Sequence, residues 1–318
     1  MASLEVRIPI GQEKSMWTRA AYITKAVRQQ VPDAHVRVTV GDISNTAEGS
    51  RPWRELGQDM ELCFLPRNDF AKWAKTGNPN TGTIMERFKP PFNADHIILV
   101  DADTFPISDI MEPFTSKARE EDISIAGMPA HVTPFPGYHD STWQRLSAGF
   151  FKDRDFIKRH SHSLASGYGI MDSNPTQRLL PAGYWNTGVV YASRWYLEGL
   201  WPHIEDALEF VRGAVGSYFL DQIALSLAIM RNGLPHEELD ARWNFPNQPE
   251  FESAYPDQLA DVRWIHFLRK NQVDREADFH DHDSVRNFVL NSALKGSNEV
   301  LRKAMAKAYR DINIERDK

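Results

Sequence analysis

The chain has a single cysteine, Cys63, in 318 residues, so no disulfide can form within it and no zinc site can be built from cysteine thiolates. It lacks any uninterrupted apolar run of about 18 residues, the least that a membrane-spanning helix needs. Its opening, Met1 to Ile10, alternates charged and apolar side chains and does not gather the apolar centre of a secretory signal. Positive charge is not in excess either: 37 Lys and Arg stand against 43 Asp and Glu, a formal net charge of −6. Binding along a phosphate backbone needs a concentrated basic surface, so nucleic acid is not an expected partner. A small anionic substrate stays open, because one local cation outweighs a weak global charge. Neither an internal repeat nor a low-complexity tract is present. These absences predict a cytoplasmic globular protein, and 42% hydrophobic with 25% charged residues is ordinary for one.

What is present is a rhythm of strands and helices. Leu4, Val6, Ile8 and Ile10 alternate as in a strand with one face more buried. Ser15 offers a helix cap, and Trp17, Ala20, Ala21, Ile23 and Val27 recur at helical spacing up to Pro32. Val36, Val38 and Val40 make a second strand, Met60 to Leu65 a third, and Ile97-Ile98-Leu99-Val100 an aliphatic run suited to a strand covered on both faces. This order predicts an α/β fold with a mostly parallel sheet. Residues 128–183 loosen the pattern with Pro129, Pro134, Pro136 and Gly137 and read as a long insertion, the kind that forms lids or binding surfaces. A strand at Gly188 to Tyr191 follows, then a helix from Asp221 to Arg231 stopped by Asn232-Gly233, and a strand from Val262 to Leu268. The last helix, Ser297 to Ile312, carries Leu301, Met305, Ala308, Tyr309 and Ile312 on one face, with Arg302, Lys303, Lys307 and Arg310 beside them. A basic amphipathic helix can rest on an anionic membrane. The plainer expectation is that it packs on its own domain or on a twin subunit.

The most informative stretch is His96-Ile97-Ile98-Leu99-Val100-Asp101-Ala102-Asp103-Thr104-Phe105. Residues two apart in an extended chain project to the same side, so Asp101 and Asp103 converge at a strand's carboxyl end, where open α/β sheets place their ligands. Two like charges that close need a compensating cation, or one of them must be protonated. A divalent ion bridging to a substrate diphosphate meets that need, and hard oxygen ligands suit Mg²⁺ or Mn²⁺. An Asp-x-Asp triplet alone is a weak sign, and Asp281 and Asp283 form another with no strand before it. The competing structural reading is a solvated turn in which Asp103 caps a following helix.

Ile98-Leu99-Val100-Asp101-Ala102-Asp103-Thr104 resembles the Asp-x-Asp motif of GT-A fold glycosyltransferases, in particular the retaining group that includes glycogenin and bacterial lipopolysaccharide galactosyltransferases. Three later segments follow in that group's order. Tyr184-Trp185-Asn186-Thr187-Gly188-Val189-Val190 is similar to its Phe-Asn-Ser/Thr-Gly-aliphatic strand, Asp221-Gln222-Ile223-Ala224-Leu225 to its Asp-Gln-x-x-Leu helix start, and Trp264-Ile265-His266-Phe267 to its late strand ending in a metal-binding histidine. The resemblance implies a Rossmann-like GT-A domain over residues 1–280, with a nucleotide-binding half (1–127) and an acceptor-binding half (128–280), followed by a helical extension over 281–318.

It also implies roles. Asp103 would bind the metal directly, Asp101 would share the metal and the donor ribose with the adjoining Ala102, and His266 would complete the protein ligands. Asn186 and Gly188 would lie near the transferred sugar, and Asp221 or Gln222 beside the anomeric carbon. Arg87 would touch the donor, and a lysine after the histidine would neutralise the leaving diphosphate. Here Phe267-Leu268-Arg269-Lys270-Asn271 lacks the Pro-Trp that usually follows that lysine, which leaves the phosphate contact between Arg269 and Lys270. Each residue also has an ordinary reading. His266 would be a core histidine, Asn186 and Gly188 a strand edge, Asp221 a helix N-cap and Arg87 a solvated surface arginine. His131, His139, His160 and His162 fit no strong zinc spacing.

The expected function is transfer of a sugar from a nucleotide diphosphate, UDP by resemblance, to an acceptor hydroxyl, with retention of configuration and with Mn²⁺ or Mg²⁺ as cofactor. One rival is a haloacid-dehalogenase-type phosphatase, which also ends an aliphatic strand in Asp-x-Asp. It wants Thr or Val where Phe105 stands. The other is a carbohydrate-binding protein that keeps the fold without turnover.

Overall fold

In this computed structural model residues 3–41, 60–65, 81–115, 124–130, 140–163, 179–215, 219–233, 235–268 and 273–316 are described. The strands are β1 (Leu4–Ile10), β2 (His35–Val40), β3 (Glu61–Phe64), β4 (His96–Val100), β5 (Thr104–Pro106), β6 (Ile125–Pro129), β7 (Ser161–Ser163), β8 (Leu179–Pro181), β9 (Trp185–Ser193), β10 (Glu237–Glu238), β11 (Phe245–Pro246) and β12 (Trp264–His266). The helices are α1 (Lys14–Gln30), α2 (Thr81–Glu86), α3 (Glu112–Thr115), α4 (Asp140–Phe151), α5 (Phe156–Arg159), α6 (Arg194–Ala214), α7 (Leu220–Asn232), α8 (Pro249–Ala254), α9 (Pro256–Ala260), α10 (His282–Leu290) and α11 (Gly296–Arg316).

Seven strands form the main sheet in the order β10-β6-β9-β4-β1-β2-β3. Only β9 runs against its neighbours, so the sheet is mostly parallel, as the strand–helix rhythm predicts. Helices cover both faces, and the apolar side chains divide into two clusters accordingly. Leu4, Val6, Ile8, Ile98 and Val100 pack toward α1, α10 and α11, whereas Ile97, Leu99 and Val190 pack toward α6 and α7. That division is why β4 has no polar face: both sides of the strand are core.

β1 differs from a one-faced strand, because its alternate residues Glu5 and Arg7 are also buried, at 0% and 1% exposure. They survive there as a pair. Arg7 Nε donates to Glu5 Oε1 at 2.6 Å, and its guanidinium donates to the carbonyls of Lys89 and Pro91. Glu5 in turn accepts from the Asn93 backbone N–H. A charge removed from water needs this degree of satisfaction. The result pins the 87–93 connection, which leads from α2 to β4, against the sheet.

Local expectations shift where tertiary contacts decide. Ser15 is not the cap of α1, which begins one residue earlier with Glu13 at its N-cap; the Ser15 hydroxyl donates instead to Glu276. The strand expected over residues 262–268 shortens to Trp264–His266, because only that part finds partners, β11 on one side and β5 on the other. The strand at Gly188 to Tyr191 lengthens to nine residues because it pairs with both β4 and β6. The described parts of residues 128–183 carry regular structure, α4, α5 and the β7–β8 pair. α7 ends as expected at Gly233, whose φ of 63° is a left-handed conformation that glycine adopts without strain.

The apolar stripe of the last helix is covered by the chain itself. Leu301, Met305, Ala308 and Ile312 are buried in the cluster they share with α1. His282 fastens this corner, with Nδ1 2.7 Å from the Tyr22 hydroxyl, Nε2 3.0 Å from Asn313 Oδ1, and its ring stacked on Tyr309. The packed stripe excludes it as a membrane-facing surface. Among the described residues no helix is long and apolar enough to cross a membrane. The second Asp-x-Asp is structural: Asp281 caps α10, accepting from the Ser284 N–H at 3.0 Å.

Candidate active site

The site follows from how one strand hands over to the next. β4 ends at Val100, the chain turns through Asp101-Ala102-Asp103, and β5 begins at Thr104. The turn is fixed from both ends. Asp101 N–H donates to Gly188 O at 2.9 Å, and Thr104 donates to Asp101 O through both its N–H and its hydroxyl. β5 then pairs antiparallel with β12, with Thr104 opposite His266, and Phe267 N–H donates to Asp103 O. A histidine 163 residues away in sequence is thereby set against the second aspartate, with His266 Nε2 3.1 Å from Asp103 Oδ1.

One ligand atom from each of Asp101, Asp103 and His266 lies within 4.8 Å of the others. Donors held at about 2.0–2.6 Å from one ion stand at most about 4–5 Å apart, so a single divalent cation fits among the three. The donor set agrees: imidazole with two carboxylates is one that Mn²⁺ tolerates better than Mg²⁺ does. His266 Nε2 also faces a carboxylate oxygen, and with the ring proton on Nδ1 a cation between the two would reconcile them. Asp101 and Asp103 keep 29% and 15% of their side-chain exposure, while His266 keeps 2%.

The two carboxylates are driven apart in acidity. Burial raises the Asp101 carboxyl; Arg87 and His266 offset part of the rise, and Asp103 and Asp221 add to it. Burial pushes Asp103 up as well, but His266, Arg275 and Arg19 outweigh it and hold that carboxyl well below the ordinary range. This is how two close carboxylates behave when one has more cationic neighbours than the other.

Arg87 is not the solvated arginine of the ordinary reading. It is 0% exposed, and its Nη1 donates to Asp101 Oδ1 at 2.6 Å. Among the described residues its Nε and Nη2 have no hydrogen-bond partner, nor has Gln222 Oε1. Asp221 is not a helix cap either, since the N-cap of α7 is Phe219. Asp221 is 7% exposed and its Oδ2 accepts from Thr187 Oγ1 at 2.7 Å. Burial raises its carboxyl, against the Thr187 hydroxyl and Arg87. Asn186 Oδ1 accepts from Gly188 N–H at 2.9 Å and from Asn244 Nδ2 at 3.0 Å, which turns the oxygen inward. Gly188 is required by close approach: a Cβ there would stand 2.4 Å from the His266 ring.

A cavity of about 200 Å³ opens at the carboxyl ends of β1 and β4, lined by Gly11, Arg19, Thr83, Asp101, Ala102, Asp103 and Arg275 among others. It contains groups that the sequence pattern does not reveal. Arg275 donates to Asp103 Oδ2, and Arg19, 3% exposed on α1, lines the same cavity and adds its charge to the field at that carboxylate. Thr83 Oγ1 is buried with no partner among the described residues. Lys270 and Arg269, and with them the expected phosphate contact, lie outside the described residues, as do His131 and His139. His160 stacks on Phe156 and takes no part in the site.

No protein-family model matches the chain, and no curated protein matches it in sequence. Solved structures do match in shape. A galactosyltransferase, LgtC, in complex with donor and acceptor sugar analogues aligns at a TM-score of 0.55 and 12% identity, over 95% of this chain and 95% of that one. An active-site mutant of LgtC aligns at 0.51 and 11% identity, over 89% of this chain and 95% of that one. The apo structure of WbbM, a bifunctional glycosyltransferase, aligns at 0.51 and 14% identity over 90% of this chain; the chain spans about half of WbbM's length, 50%. With a mostly parallel sheet, an Asp-x-Asp turn at the end of a central strand and a histidine brought back to it, the chain has the GT-A glycosyltransferase fold.

Proposed function

We propose that this protein is a metal-dependent glycosyltransferase that moves a sugar from a nucleotide diphosphate, UDP in the preferred reading, to an acceptor hydroxyl with retention of configuration. The observation that carries the reading is the convergence of Asp101, Asp103 and His266 at the carboxyl end of β4 in a GT-A fold. When bound there, a divalent cation supplies charge stabilisation to a departing diphosphate.

The chain's own residues divide the remaining work. Arg19 and Arg275 line the cavity beside Asp103 and supply fixed positive charge for a diphosphate, the part that resemblance leaves between Arg269 and Lys270. Arg87 neutralises Asp101 and keeps Nε and Nη2 as donors for a bound donor substrate. Gln222 Oε1 suits a sugar hydroxyl, since a buried acceptor without a partner is costly unless the ligand supplies one. Asn186, with its oxygen turned inward, presents its Nδ2 to the sugar. Asp221, tied to Thr187, holds negative charge near Arg87 and the anomeric centre. In retention the acceptor attacks the face that the leaving group vacates, and a phosphate oxygen takes its proton, so no separate base is required. Ala102 and Gly188 serve by being small, one lining the cavity and the other admitting His266.

Donor hydrolysis and transfer assayed across nucleotide sugars, with Mn²⁺ and with chelator, test the reading. Turnover that requires the cation supports it, and NMR assignment of an inverted product anomer overturns retention. Release of phosphate from a phosphomonoester without nucleotide-sugar binding would favour the phosphatase.

A further inference from the structure

We propose that Asn244 is a positioning residue that fixes the tautomer and orientation of His266, so that Nε2 presents a lone pair toward Asp101 and Asp103. The inference rests on the metal-site reading above.

Asn244 follows the short turn Ala241–Trp243 and immediately precedes β11, the strand that pairs with β12. It is 0% exposed. Its Nδ2 lies 3.2 Å from the backbone O of Asn186 and 3.0 Å from Asn186 Oδ1. A backbone carbonyl can only accept, so the end of the amide facing it must be the NH₂ group. The other end, Oδ1, lies 3.0 Å from His266 Nδ1 and must accept from it. The carbonyl of Asn186 thus decides, through Asn244, that the His266 proton sits on Nδ1. Nε2 is left as the nitrogen with an in-plane lone pair, pointed at Asp103 Oδ1 at 3.1 Å. With the proton on Nε2 the ring would aim an N–H at the cation and could not ligate it.

The chemistry also explains why the residue is an amide. Alanine removes the acceptor for Nδ1 and takes the amide donor from both oxygens of Asn186, leaving Oδ1 with the Gly188 N–H. Aspartate accepts from Nδ1 but sets a carboxylate oxygen against two oxygens of Asn186. Only a side chain with an acceptor at one end and donors at the other serves both neighbours.

Two measurements test the proposal on the whole protein. In protein labelled with ¹⁵N-histidine and loaded with diamagnetic Mg²⁺, long-range ¹H–¹⁵N correlations, assigned with His266→Gln, should show His266 protonated on Nδ1. A proton on Nε2 overturns the proposal, whatever any variant does. Free Mn²⁺ followed by electron paramagnetic resonance should then show affinity about 10–100-fold weaker in Asn244→Ala, with its circular dichroism unchanged. Wild-type affinity in that variant overturns the role of Asn244 alone, whereas absence of saturable Mn²⁺ binding in the wild type overturns the metal reading and this proposal with it.

Discussion

Replacing Gly188 with alanine places a Cβ 2.4 Å from His266 Cε1 and Nδ1 and 2.8 Å from Asn186 Oδ1. Carbon atoms rest about 3.5–4.0 Å apart, so the ring must retreat by about 1 Å or more. The strand cannot give way in its place. Gly188 O accepts from Asp101 N–H and Gly188 N–H donates to Asn186 Oδ1, both at 2.9 Å, and the next residue, Val189, is paired with Val100 of β4. Retreat of the ring breaks the 3.0 Å contact between His266 Nδ1 and Asn244 and withdraws Nε2 from the carboxylates. Overpacking of this size costs about 1–3 kcal/mol, which urea denaturation would read as a lowered midpoint at constant slope. Losing the set of a ligand costs cation affinity at least about tenfold, since disturbing only its hydrogen-bond partner costs about 10–100-fold. Mn²⁺ binding at wild-type strength in Gly188→Ala would refute the assignment of His266 as a ligand approached through Gly188.

Other perturbations read other links. Arg87→Met leaves Asp101 beside Asp103 and Asp221 without its 2.6 Å partner; about 3 kcal/mol should be lost, the low end for breaking a buried pair, because Asp101 keeps 29% exposure. Its removal also raises the already raised Asp101 carboxyl, so Mn²⁺ binding should fail at a higher pH than in the wild type; an unmoved acid limb of the binding curve contradicts this. Tyr191→Phe strips the acceptor from Trp264 Nε1, now bonded at 2.8 Å in the core, and should cost about 1–3 kcal/mol in denaturation with Mn²⁺ affinity unchanged. Asp281, at about 2, is held below its ordinary value by the backbone N–H and hydroxyl of Ser284 and by Lys14. Its cap on α10 is therefore in place above the unfolded carboxylate's pKa and is lost as pH falls through about 2; Asp281→Ala should cost about 1 kcal/mol at pH 7 and progressively less below about pH 4 by the same denaturation assay.

The acidic pair was legible because an aliphatic run leads straight into it, although the two side chains converge through the turn after β4 and not through the two-residue alternation of a strand. His266 was legible by its order after the other motifs, although nothing within Trp264-Ile265-His266 distinguishes a ligand from a core histidine. Arg87 reads locally as a surface arginine at the end of a short helix; its burial depends on Asp101, 14 residues on. Arg275 and Asn244 were missed for the same reason carried further. Their partners lie 172 and 22 residues away, and a loop arginine or an asparagine after a tryptophan carries no periodic signal. Ser15 shows the converse error, a good local cap signal overridden by a tertiary hydrogen bond. Periodicity reports which face of an element is covered, whereas hydrogen bonds across the fold are set by topology.

The central claim is that Asp101, Asp103 and His266 jointly hold a cation that recruits a nucleotide diphosphate. Isothermal titration of UDP into wild-type protein and Asp103→Asn, each with Mn²⁺ and with chelator, tests it most directly. Wild-type protein should bind UDP at least about tenfold more tightly with Mn²⁺, a coupling of about 1.4 kcal/mol, and Asp103→Asn should lose that difference. Equal UDP affinity with and without Mn²⁺ in the wild type, or an undiminished difference in the variant, would contradict it.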